Sequence, residues 1–203
     1  AAVSSQSDAA VGVVPSSEGQ RILANMLAED LKELGIVDIS VSEQSVVIGR
    51  LPARLASGHK PVPAVGWVAH LDTVNVQMSP DIHPVRIRDY DGGDICQNEE
   101  KGIYLRVADH PELKQYAGDD ILVSDGTSVL GADNKAAIAN IMVSLEYLKE
   151  NPDVQHGEIY ISFVPDEEIG LLGSKSMDFT KFPVSFAYTI DCCVQGEVVY
   201  ETF

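Results

Sequence analysis

Six residues stand out as a set that could do chemistry: His70, Asp72, Asp133, Glu167, Glu168 and Asp191. Each follows a short apolar run or opens a helical one, so a single fold could deliver all of them to one point. Carboxylates repel one another and normally stay in water, so their convergence calls for a cation. Imidazole with carboxylate is a ligand set that suits zinc, among other divalent ions. His70 and Asp72 lie two residues apart on extended backbone, which turns both side chains to the same side. A carboxylate so placed can hold the far ring nitrogen of a metal-bound histidine. Glu167 and Glu168 are adjacent and point apart, so one can ligate while the other faces substrate as a general base. Taken singly, each has a plainer reading. Asp133 alone reads as a helix N-cap, the glutamate pair as a solvated acidic turn, and Asp191 as a strand-ending turn residue.

The elements that must position these residues are legible in outline. Residues 15–18 (Pro-Ser-Ser-Glu) read as a helix start, with Ser17 and Gln20 at capping-box spacing. Leu23, Met26, Leu27, Leu31 and Leu34 continue as a helical stripe, closed by Gly35. Two β-rich runs follow at 37–41 and 45–51, and residues 64–69 form a nearly continuous apolar run, as in a buried strand, ending at His70. Residues 75–130 are the least readable part, with weak β alternation at 85–88 and 103–107. Ile138, Ile141, Met142, Leu145 and Leu148 form the apolar face of a helix opened by Asp133. Strands are expected at 158–164 and 185–190, with a short helix near Ser174 between them. Strands alternating with helices imply a three-layer α/β/α sandwich on a mixed, mostly parallel sheet. In such sheets functional residues gather at the carboxyl ends of strands, where His70, Glu167 and Asp191 fall.

Composition narrows the partners. Acids outnumber bases 31 to 14, for a formal charge of -17, which argues against nucleic acid and anionic membrane surfaces. No apolar stretch approaches the ~18 residues of a membrane helix. Three cysteines, Cys96, Cys192 and Cys193, make no disulfide framework and point to a reducing, cytoplasmic setting.

The segments around His70-Leu71-Asp72, Gly131-Ala132-Asp133-Asn134-Lys135, Pro165-Asp166-Glu167-Glu168 and Asp191 resemble the metal-site motifs of the di-zinc exopeptidases and amidohydrolases. Residues 14–20, 92–95 and 187–191 are similar to stretches typical of one subgroup, the peptidase T aminotripeptidases. The resemblance implies two Zn2+ ions, with Co2+ or Mn2+ as substitutes, and a small peptide substrate. It implies that His70 binds one zinc and that Asp72 orients His70. Asp133 then bridges both ions, Asp191 completes the first, Glu168 binds the second, and Glu167 is the general base. It also implies a cis peptide between Asp133 and Asn134. The activity expected is removal of the N-terminal residue from tripeptides. The alternatives are a related zinc deacylase or carboxypeptidase, or a metal-binding relative without activity.

The chain departs from the subgroup pattern in three ways. Asn134 stands where a second aspartate is usual, and Cys192-Cys193 stand where glycines are usual. The family's lid or dimerisation domain, and a later segment supplying one more zinc-binding histidine, are expected to be absent. Most of the family's first helix is expected to be missing too. His59, His83, His110 and His156 fit no ligand motif. Residues 1–203 are thus expected to be the N-terminal segment of a catalytic domain. That segment alone should bind the first ion better than the second and be essentially inactive, with any homodimer formed through the lid.

Overall fold

The computed structural model describes residues 3–58, 60, 62–191 and 196–200. Its centre is a five-stranded sheet in the order β1-β2-β8-β3-β9. The strands are β1 (Val37–Val41), β2 (Val47–Leu51), β3 (Val65–His70), β8 (Ile159–Val164) and β9 (Phe186–Thr189). The sheet is mixed: β1-β2 and β2-β8 run antiparallel, whereas β3 runs parallel to both β8 and β9. The parallel part is the part that carries the site.

Alternation along the strands sorts side chains onto two faces. Ile159, Ile161 and Phe163 of β8, with Trp67 and Ala69 of β3, pack with helix α1 (Glu18–Glu33) and helix α2 (Ala132–Glu150) in the main core. The intervening residues Tyr160, Val164 and Val68 join Val46, Ile48, Met177 and Phe182 in a second core. Short helix α3 (Leu172–Lys175) and its flanking chain therefore cover the face opposite α1 and α2.

Helix α1 buries Gln20, Ala24, Leu27 and Leu31, while Met26 is half exposed, so the face turns slightly from the expected stripe. It ends where expected. Gly35 takes a left-handed conformation, its N–H bonds to the Lys32 carbonyl, and the Ile36 N–H bonds to that of Leu31. These two bonds are the Schellman pattern. The capping box is not formed: Ser17 is the N-cap but makes no side-chain capping bond. Gln20 turns inward instead, to partners far away in sequence.

Residues 75–130 build two small antiparallel pairs. Strand β4 (Pro84–Ile87) pairs with β7 (Ile121–Ser124), and β5 (Ile95–Asn98) pairs with β6 (Ile103–Leu105). Tyr90, Ile95 and Val123 form their own buried cluster. The N-terminal segment lies beside the chain just past β3: Gln6 makes an isolated parallel bridge to Thr73, and the Ser5 hydroxyl donates to the Leu71 carbonyl at 2.7 Å. Among the described residues no helix is long and apolar enough to cross a membrane.

Phe163 has no solvent exposure and sits in the core shared by both helices. Truncation to alanine is expected to lower unfolding free energy by about 3–5 kcal/mol, measured by chemical denaturation. A loss below about 1 kcal/mol would place the core elsewhere.

Candidate metal centre

The site is built where three chain segments end together. His70 is the last residue of β3 and pairs in register with Val164, the last residue of β8. Strand β9 pairs Thr189 with Val68, so two residues further on Asp191 comes level with His70. Pro165 to Glu168 turn off the end of β8. Asp133 arrives from the start of α2, where Gly131 is the N-cap and Asp133 and Asn134 have non-helical backbone angles. The Asp133 carboxylate is turned to His70. The peptide between Asp133 and Asn134 is cis, as the resemblance implies.

The distances are short. His70 Nε2 lies 2.9 Å from Asp133 Oδ1, 3.7 Å from Asp191 Oδ2 and 3.9 Å from Glu167 Oε2. On its other side His70 Nδ1 lies 3.2 Å from Asp72 Oδ1. Ligand atoms of His70, Asp133 and Asp191 fall within 4.8 Å of one another, and so do those of His70, Glu167 and Glu168. All six sequence-singled residues thus meet at one place. His83, His110 and His156 do not join them: they pair with Asp125, Glu112 and the Gly157 carbonyl. His59, Cys192 and Cys193 lie outside the described residues.

Asp72 does more than face His70. Its carboxylate has no solvent exposure and also accepts the backbone N–H groups of Glu167 at 2.9 Å and Glu168 at 3.2 Å. Burial works to raise the Asp72 pKa, but the bonds from His70 and the Glu167 N–H hold it below the usual range. Burial likewise works to lower His70, yet the Asp72 hydrogen bond and charge, with Asp191 and Asp133, raise it to about 9. Glu167, Glu168 and Asp191 are all raised, first by burial and then by neighbouring carboxylates. Lys135 donates to the Ser5 hydroxyl at 2.7 Å, and burial pushes it down to about 8 against the pull of Asp72.

Sequence reasoning missed three features. Asp166 is fully buried and tied to α1, although its neighbours draw the eye as the acidic pair. Residues 5–7 run beside the His70-to-Thr73 stretch, where only an Ala/Ser/Val-rich start was visible. Asn134 is buried, and its amide nitrogen has no hydrogen-bond partner among the described residues. For Asp166, the one available signal was its place in a Pro-Asp-Glu-Glu turn directly after a buried strand.

The donor set fits divalent metal. One imidazole and four carboxylates are presented together, and the raised acids mark negative charge that a cation would compensate.

The α/β fold, with this cluster at the ends of parallel strands, is that of zinc exopeptidases. The crystal structure of aminopeptidase PepT from Bacillus cereus aligns with TM-score 0.59 at 26% identity, over 84% of this chain and 37% of that one. A tripeptidase from Staphylococcus aureus shares the fold, with TM-score 0.60 at 23% identity over 85% of this chain and 38% of that one. In sequence the likeness is closer. A peptidase T-like protein of Yersinia pestis is 56% identical over 203 residues, covering 100% of this chain and 48% of the relative. Peptidase T of Geobacillus kaustophilus is 43% identical over 203 residues, again 100% of this chain and 48% of the relative. The chain is homologous to peptidase T and peptidase T-like proteins along its whole length. It spans about half the length of these curated relatives. No protein-family model matches the chain.

The titrations give a pH test. A histidine raised from 6.5 to about 9 contributes stability that is complete below 6.5 and lost as pH rises toward 9. The three raised carboxylates act in the same sense at lower pH, and Lys135, lowered to about 8, acts oppositely above that value. The metal-free protein should therefore lose stability from about pH 6.5 to about pH 8, and the stabilisation given by added zinc should grow over that window. Thermal melts with and without zinc read both. A metal-free Tm that rises across the window would contradict this account.

Proposed function

We propose that this chain forms part of the catalytic domain of a cytoplasmic metallo-aminopeptidase that removes the N-terminal residue from tripeptides. The relatives are about twice as long, so the activity is assigned to a polypeptide of that size, of which this is one segment. The observation that carries the reading is the meeting of His70 with Asp133, Asp191 and Glu167, all within 3.9 Å of one ring nitrogen. The tripeptide substrate rests on the names of the relatives and solved neighbours.

His70, Asp133 and Asp191 would hold one zinc ion, and Asp133 with Glu168 a second. When bound, the ions supply Lewis acidity, which acidifies a water and polarises the scissile carbonyl. Asp72 fixes the His70 tautomer through Nδ1, leaving Nε2 for the ion. Glu167 takes the proton of the attacking water on its carboxylate and returns it to the leaving amine. Its raised pKa suits that exchange, because a base closer to neutrality also serves as the acid.

Glu167→Gln in the complete polypeptide tests the assignment. Tripeptide kcat/KM should fall about 100-fold to 10,000-fold while zinc content stays the same. Unchanged turnover would sink the role of Glu167. Hydrolysis of N-acyl amino acids in preference to tripeptides would replace the substrate class.

A further inference from the structure

Asp166 lies beside the two glutamates but takes no part in the cluster. Its side chain is fully buried and meets three donors, all from the start of α1. The Ser16 N–H reaches Oδ2 at 2.7 Å, the Ser16 hydroxyl reaches Oδ1 at 2.5 Å, and Gln20 Nε2 reaches Oδ1 at 2.6 Å. The Asp166 N–H returns a bond to Gln20 Oε1 at 2.9 Å, so the amide clasps both backbone and side chain. Ser16 is itself engaged from behind, its hydroxyl accepting the Asp8 N–H at 2.9 Å. This is why Gln20 does not complete a capping box.

The backbone around Asp166 turns sharply. Its φ is +54°, a left-handed conformation for a non-glycine residue, and its carbonyl accepts the Leu172 N–H at 3.0 Å. Gly173 donates to the Pro165 carbonyl, and a β-carbon there would come within 2.1 Å of that oxygen. The next two N–H groups, of Glu167 and Glu168, are the ones held by Asp72. Neither glutamate carboxylate makes a hydrogen bond to the described residues. Among the described residues, Glu167 pairs with His70 at 3.9 Å. The direction of both side chains is therefore set through the backbone of this turn.

We propose that Asp166 is a positioning residue, which by locking the turn to Ser16 and Gln20 sets where Glu167 and Glu168 present their carboxylates. The inference rests on the metal-centre reading above. It predicts an asymmetry that a general loss of stability would not produce. The site using Glu168 depends on the turn, whereas the site using His70, Asp133 and Asp191 is carried by β3, β9 and α2.

The test is zinc titration of the complete, metal-free polypeptide by calorimetry, with tripeptide turnover measured alongside. Asparagine at 166 keeps the shape but loses one acceptor oxygen and turns an amide NH2 toward the donors. In Asp166→Asn, affinity for the ion bound through Glu168 should weaken about 10–100-fold, as supporting residues of metal ligands typically do. Affinity for the other ion should stay within about threefold, and kcat should fall with KM little changed. If Asp166→Asn does not fold, Gln20→Leu reads the same split by removing one donor and the returned bond. Equal weakening of both ions, or no change in either, overturns the inference while leaving the metal centre intact. A wild-type protein that takes up no zinc overturns the metal centre, and this inference with it.

Discussion

A carboxylate cut off from water must be met by donors, and Asp72 is met by donors from more than one part of the fold. His70 Nδ1 comes from the last residue of β3, two positions before Asp72, and the N–H groups of Glu167 and Glu168 come from the turn after β8. One buried charge thereby fixes the ring of the central histidine and the backbone of both glutamates. Removing any donor would leave part of that charge unsatisfied, which costs more than the bond itself contributes. The parallel pairing of β3 with β8 makes the arrangement reachable, because it brings His70 level with Val164 just before the turn begins.

Asp166 repeats the device in the opposite direction. Its carboxylate points out of the acidic turn to Ser16 and Gln20, so the turn is gripped by one buried acid just past the end of β3 and grips the start of α1 with another. The N-terminal segment closes the frame, since residues 5–7 run beside Thr73 and Lys135 reaches across to Ser5. The half-buried and exposed carboxylates of the cluster rest on this frame. They carry their charges close together, so burial and neighbouring carboxylates raise the pKa of Glu167, Glu168 and Asp191, and the surrounding acids raise that of His70 to about 9.

Much of this was legible in the sequence, for identifiable reasons. His70, Asp191 and the glutamate pair each end an apolar run, and in an α/β sheet strand ends on the same side converge. The helix from Ile138 to Leu148 and the stop at Gly35 followed from local periodicity and local backbone chemistry. What stayed hidden was non-local. Ser17 and Gln20 have capping-box spacing, but the better partner for Gln20 lies 146 residues away. The pairing of β4 with β7 spans the least patterned stretch of the chain, and burial of an acid such as Asp166 leaves no mark in periodicity. The contact of residues 5–7 with Thr73 is too short to leave a strand pattern.

The central claim is that this cluster binds metal with Asp133 shared between two ions. A crystal structure of the complete polypeptide grown with zinc, with anomalous data collected at the zinc edge, tests it most directly. The account predicts two peaks flanking Asp133, one ligated by His70 and Asp191 and the other by Glu168, with Glu167 close by but unligated. Absence of both peaks, or ions bound without Asp133, would contradict it.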